Sequence, residues 1–186
     1  MNILKKKISK RIRDFCILVI FILLSWLALF GYKYQFIYMS GISMEPTIYD
    51  NEWLVVQNRS TLGKGWTPDR LDLVLIKDKE AGDLLTKRVI GLPGETVEIK
   101  EGEIYLNDKL FKDPYGRGLI SFFLVDDNDK NLIYWNGPDK GKPVVSLVNQ
   151  VKKTIPNGSV WIIGDNRAES WYGVLEIKEI KSLVIY

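Results

Sequence analysis

The sequence contains no histidine and a single cysteine. Without histidine, Ser-His-Asp triads, Cys-His pairs and the usual zinc sites are all excluded. The lone Cys16 cannot form a disulfide within the chain, and it opens an apolar run where a thiolate nucleophile would have no use. Any catalysis therefore falls to Ser, Thr, Tyr, Lys and the carboxylates. The chain is also short of acid at its start, since no Asp or Glu precedes Asp14. Lys5, Lys6, Lys7, Lys10, Arg11 and Arg13 crowd that same stretch. With them and Asp14 set aside, acids outnumber bases by 22 to 20, so the formal charge of +3 belongs to the tail. The remainder carries no basic stripe, which argues against a nucleic-acid partner.

What the chain does have is one long uncharged run, Phe15 to Tyr32, bounded by Asp14 and Lys33. Its 18 residues would cover roughly 27 Å as a helix, close to the apolar thickness of a bilayer. The run exceeds the apolar region of a cleaved secretory signal and exits through Leu29-Phe30-Gly31-Tyr32 without a small-x-small site, which points to a retained anchor. The basic flank predicts a cytoplasmic tail over residues 1–14, an anchor over 15–32 and an extracytoplasmic domain over 33–186. Trp26, Tyr32, Tyr34, Phe36 and Tyr38 gather towards the outer end, like an interfacial aromatic belt.

Beyond the anchor the pattern is mostly β, predicting an antiparallel domain with a smaller β subdomain inserted at about 112–153. Strands are expected at Trp53–Gln57, Leu71–Ile76, Leu84–Ile90, Thr96–Ile99, Glu103–Leu106, Ser159–Ile163 and Leu183–Tyr186, where β-branched and aromatic residues recur. Turn signals separate them: Leu92-Pro93-Gly94-Glu95 suits a type II turn, and Asn107-Asp108 and Pro156-Asn157-Gly158 mark two more. A small helix is expected around Leu175–Lys181.

Two segments carry chemistry. In Ser40-Gly41-Ile42-Ser43-Met44-Glu45-Pro46-Thr47, Gly41 and Pro46 bracket Ser43 and favour an unusual backbone that presents a hydroxyl. The Ser43 amide is a natural oxyanion donor. Ser43 follows Tyr32 by eleven residues, which predicts a hydroxyl close to the outer membrane surface. The alternative is a polar loop leading to the first strand. Such a serine needs a base, and lysine can supply one if burial lowers its pKa. In Leu84-Leu85-Thr86-Lys87-Arg88-Val89-Ile90 a strand would put Leu85, Lys87 and Val89 on one face, a setting that disfavours an ammonium. The alternative for Lys87 is a snorkelling surface lysine. Arg88 points the other way and stays protonated, so it cannot be the base.

In this order, behind a basic tail and anchor, three boxes resemble the type I signal peptidases: Ser43-Met44-Glu45-Pro46-Thr47, Lys87 to Glu95 (KRVIGLPGE), and Gly164 to Ser170 (GDNRAES). These are Ser–Lys serine proteases that remove signal peptides from exported proteins. The resemblance implies Ser43 as nucleophile, Lys87 as general base and Ser170 as the group that hydrogen-bonds and orients the lysine. It places Gly41, Ser43, Asp165, Asn166 and Arg167 around the oxyanion and the active-site wall. It implies no metal and no organic cofactor. The implied partners are preprotein signal peptides with small residues before the cut, the lipid bilayer and the secretion translocon. The implied location is the bacterial cell membrane, with one span and a cytoplasmic N-terminus.

Two departures from the family pattern stand out. Its members commonly carry an acidic residue and an arginine after the third-box serine, where this chain has Trp171-Tyr172-Gly173. Some place a serine where Gly41 stands. Two alternatives remain open at this stage: a dedicated peptidase maturing a single pilus or conjugation substrate, and a catalytically silent, membrane-tethered binding domain.

Overall fold

Strands form where β-branched and aromatic residues cluster between turn-forming ones. The computed structural model describes residues 2–78, 82–123 and 145–185. After a helix, α1 (Asn2–Lys33), come β1 (Tyr34–Met39), β2 (Glu52–Asn58), β3 (Leu73–Lys77), β4 (Leu84–Gly91), β5 (Thr96–Lys100), β6 (Glu103–Leu106) and β7 (Lys109–Leu110). These are followed by β8 (Ser121–Phe123), β9 (Val145–Leu147), β10 (Gln150–Thr154), β11 (Ser159–Ile163), β12 (Tyr172–Glu176) and β13 (Ser182–Ile185). The fold is mostly antiparallel β with one apolar N-terminal helix, as the sequence predicts.

Residues 1–35 and 36–186 form two separate units. In the first, Ile20, Phe21, Ile22, Leu23 and Leu24 follow one another around the helix, each more than half exposed. A helix apolar on every side suits lipid and not water. The segment Ile12–Lys33 is long enough to cross a bilayer. Helical structure begins at Asn2, so the basic residues and the apolar run share one continuous element.

In the second unit a seven-stranded sheet has the order β1-β2-β13-β3-β4-β11-β12, antiparallel from β2 to β12. A four-stranded sheet has the order β10-β5-β6-β7, and β8 pairs with β9. All five residues of β11 are buried. Val160 and Ile162 pack with Val74, Ile76 and Val89 on one face. Trp161 and Ile163 join Ile90 on the other, where they meet Val97, Ile99, Ile104 and Leu106 of the smaller sheet. A strand covered on both faces reads as an unbroken apolar run, as Val160-Trp161-Ile162-Ile163 does. A third cluster, with Met39, Met44, Ile48, Leu54, Val56 and Leu75, lies under the segment that follows β1.

The predicted turns form. Gly94 has φ +83° and Glu95 N–H donates to Leu92 O at 3.2 Å, which is type II geometry. Asn107 (φ 49°) and Asp108 (φ 67°) join β6 to β7 in a two-residue loop with both residues left-handed, matching the twist of the strands. The smaller sheet begins at Thr96, upstream of the expected subdomain boundary at 112, and recruits β10 from inside that stretch. Residues 124–144, half of the expected insertion, lie outside the described residues. The helix expected over Leu175–Lys181 does not form. β12 runs on to Glu176, paired with Ser159, leaving one 3₁₀ turn at Ile177–Glu179. A ladder satisfies these backbone groups better than an isolated helical turn, whose nucleation is costly.

Candidate active site

Ser43 lies in a tight turn between β1 and β2. Thr47 N–H and Ile48 N–H both donate to Met44 O, at 2.9 and 3.1 Å, while Met44 and Ile48 are buried beneath. Apolar burial of the two flanking side chains fixes the turn and leaves Ser43 at the surface of the domain. Gly41 has φ +111°, a conformation that favours glycine. Its N–H donates to Asp50 Oδ1 at 2.7 Å. Among the described residues no group accepts a hydrogen bond from the Ser43 amide.

β4 brings Lys87 to this turn. Lys87 lies opposite Val74 of β3 and is only 2% exposed, with its neighbours Leu85 and Val89 in the apolar cluster between them. Nζ sits 2.7 Å from Ser43 Oγ. Burial disfavours the ammonium and lowers the Lys87 pKa from 10.5 to about 8, against an upward pull from the charge of Asp165. A lysine near that value is free amine often enough to accept a proton at physiological pH.

The third box closes the site from behind. Asn166 N–H donates to Ser43 O at 3.1 Å, and Asn166 Nδ2 donates to Ile42 O at 3.2 Å. Asp165 is fully buried and receives both Arg88 Nε (2.7 Å) and Nη2 (2.6 Å), a bidentate pair, together with the Thr47 hydroxyl at 2.5 Å. Arg88 also donates to Leu71 O at 2.8 Å and lies 3.8 Å above the Tyr115 ring. Arg167 donates to Gly164 O at 2.9 Å and is paired with Asp113. Asp165 thus ties β4 to the serine turn, Asn166 straps that turn's carbonyls, and Arg167 holds the corner after β11.

Ser170 is placed differently from expectation. Its hydroxyl accepts from Gly164 N–H at 2.6 Å and donates to Trp171 O at 2.8 Å, and no hydrogen bond joins it to Lys87. A hydroxyl has one proton to give, and the backbone takes it. Lys87 is held instead by the β3–β4 ladder, apolar burial and Ser43. Gly164 stands between Ser170 and Ser43. A Cβ there would fall far inside contact distance of both Ser43 O and Ser170 Oγ. Gly164→Ala should therefore push the serine turn off the lysine and lower kcat/KM by about a hundredfold, since a displacement near 1 Å costs that much. Circular dichroism should be unchanged, and full activity in that variant would contradict the close approach.

Sequence reasoning missed the Arg88–Asp165 pair, which joins residues 77 apart in the chain and has no local signature. It also missed the contacts of Asp50 with Gly41 and of Thr47 with Asp165. Beside Ser43 lies a narrow cavity of about 20 Å³, lined by Met39, Ser40, Gly41, Met44, Ile48, Leu85 and Thr86. Its volume suits one water-sized group. Among the described residues no group of three or more carboxylates or thiols is arranged to hold a metal ion.

Residues 12–173 match the family model described as signal peptidase, peptidase S26. Signal peptidase I U of Bacillus subtilis is 31% identical over 166 residues, spanning 89% of this chain and 78% of that protein. Signal peptidase I V of the same organism is 31% identical over 152 residues, spanning 78% of this chain and 80% of that protein. A crystal structure of a signal peptidase I from Enterococcus faecalis aligns with a TM-score of 0.41 at 24% identity, covering 64% of this chain and 98% of that one. With the family model covering most of its length and relatives matched across more than two thirds of theirs, this chain belongs to the signal peptidase family, peptidase S26.

Proposed function

We propose that this chain is a membrane-anchored serine endopeptidase that removes signal peptides from preproteins by acyl transfer between Ser43 and Lys87. The observation that carries the reading is the 2.7 Å contact between Ser43 Oγ and an almost fully buried Lys87 Nζ. The free amine takes the Ser43 proton as Oγ attacks the scissile carbonyl. The Ser43 amide, which donates to no group among the described residues, receives the developing oxyanion. As the C–N bond breaks, the lysine ammonium gives its proton to the departing amine. Water then attacks the acyl-enzyme, losing its proton to Lys87, and the released ammonium reprotonates Ser43.

The cavity beside Ser43 supports a small side chain at the substrate position it receives, because little more than a methyl or hydroxymethyl group fits about 20 Å³. The names of the relatives, signal peptidase I, supply the substrate class. The basic residues before the apolar run support a cytoplasmic N-terminus, with the catalytic unit on the outer face.

The purified full-length chain in detergent micelles should cleave a preprotein reporter, and an acylating serine probe should label Ser43. With Lys87 as base, log kcat/KM should climb with pH and level off above an apparent pKa near 8, because only the free amine is competent. Labelling elsewhere, or a profile flat from pH 6 to 9, would overturn the assignment.

A further inference from the structure

Residues 113–117 take no part in the proposed acyl transfer, yet they are bound at several points to the wall behind Ser43. The Asp113 carboxylate pairs with Arg167 through Oδ2 and accepts Tyr115 N–H on Oδ1 at 2.8 Å. Gly116 passes so close to the Arg167 guanidinium that a Cβ there would overlap it. Arg117 N–H donates to Asp165 O at 2.8 Å, and Arg117 O accepts from Arg167 N–H at 3.0 Å. Between these fixed flanks the Tyr115 ring lies against Arg88, with the guanidinium 3.8 Å from the ring centroid. Nε and Nη2 of Arg88 are engaged by Asp165, and Nη1 by Leu71 O. What these bonds leave uncovered is the flat face of the guanidinium, and an aromatic ring matches it. Arg88 and Asp165 are buried while Tyr115 is 42% exposed, so the tyrosine is the member of this stack that meets solvent.

We propose that Tyr115 is a positioning residue, whose ring keeps the Arg88–Asp165 pair dry and thereby fixes the turn that carries Ser43. The inference rests on the Ser43–Lys87 reading above and adds to it a residue that acts from outside the site. Asp165 is the link. The carboxylate that Arg88 holds in place accepts the Thr47 hydroxyl, and the next residue, Asn166, donates to Ser43 O. A guanidinium stacked on a ring is desolvated on that face, which strengthens the stack. An ion pair kept from water is also little screened by dissolved salt. Without the ring, water reaches Arg88, the bidentate geometry loosens and the serine turn gains freedom against Lys87. The effect passes through Arg88 and Asp165 to the nucleophile, so it should fall on kcat and leave KM near its wild-type value.

The test uses the full-length chain in detergent micelles with a preprotein reporter. Rates are referred to the fraction of enzyme that an acylating serine probe labels, so misfolded chains do not count. Tyr115→Leu removes the ring but keeps an apolar side chain, and its kcat should fall about tenfold, since displacements below 1 Å are enough for that. Raising salt from about 0.05 to about 0.5 M should leave wild-type kcat level and lower that of the leucine variant further, because its opened pair is screened. Tyr115→Phe keeps the ring without the hydroxyl and should restore both kcat and its indifference to salt. Wild-type kcat in Tyr115→Leu, a loss that Tyr115→Phe shares, a loss confined to KM, or a reduced kcat that stays level with salt overturns the proposal while leaving the dyad intact. Cleavage that persists in Ser43→Ala overturns the active-site reading and this inference with it.

Discussion

Replacing Lys87 with methionine will give a protein that no longer cleaves a preprotein reporter but withstands more heat at neutral pH. The first half follows from the base. Methionine keeps the apolar stem and removes the amine that touches Ser43 Oγ, so kcat should fall by about four orders of magnitude or more, as when a nucleophile–base unit loses one member. Ser43→Ala should cost as much, and the double variant little more, because the two act as one unit. Lys87→Arg should be equally inactive, since a guanidinium stays protonated.

The second half follows from the price of burying an ammonium. The folded-state pKa of Lys87 is lowered from 10.5 to about 8. Below the lower value the folded protein carries a buried charge that the unfolded chain carries in water. That costs about 3 kcal/mol, offset by about 1 kcal/mol for the hydrogen bond to Ser43. Between the two values the unfolded state binds more protons, so wild-type stability rises with pH across that window. Lys87→Met should therefore raise Tm by about 5 °C near pH 7, and the advantage should shrink as pH approaches 10.5. A variant that still cleaves would show that Lys87 is not the base, and one less stable at every pH would show that it is not a strained cation.

The same residue shows what could be read from the sequence and what could not. The apolar setting of Lys87 was legible because a strand alternates its side chains, which puts Leu85, Lys87 and Val89 on one face. The turns were legible because Gly94, Asn107 and Asp108 adopt backbones that few other residues tolerate. β12 was not, because Gly173 interrupts a run whose strand character comes from its neighbour β11. The hydrogen-bond partners of Ser170 differ from those the resemblance implies for a related reason. A hydroxyl takes whichever acceptor the local backbone presents, and Trp171 O is one residue away. Pairing across long separations leaves no trace in spacing, so Asp165 was placed on the wall without its partner Arg88.

That partner makes Asp165 the residue whose loss should destabilise the domain most. Asp165→Ala would strand the Arg88 guanidinium, 4% exposed, without a countercharge and leave the Thr47 hydroxyl without its acceptor. Breaking a buried pair in this way costs about 3–5 kcal/mol, a large part of the 5–15 kcal/mol that typically holds a domain together. Removing both partners, as in Arg88→Met with Asp165→Leu, should be far less damaging, because no charge is then left buried alone. Asp165→Asn separates structure from chemistry. The amide keeps the shape and one acceptor, so the domain should fold with a lower Tm. Its lost charge no longer favours the Lys87 ammonium, which Asp165 otherwise supports. The Lys87 pKa should fall further, and the acid limb of log kcat/KM should move to lower pH. A shift to higher pH, or none, would show that Asp165 serves Arg88 and Thr47 alone and has no influence on the base.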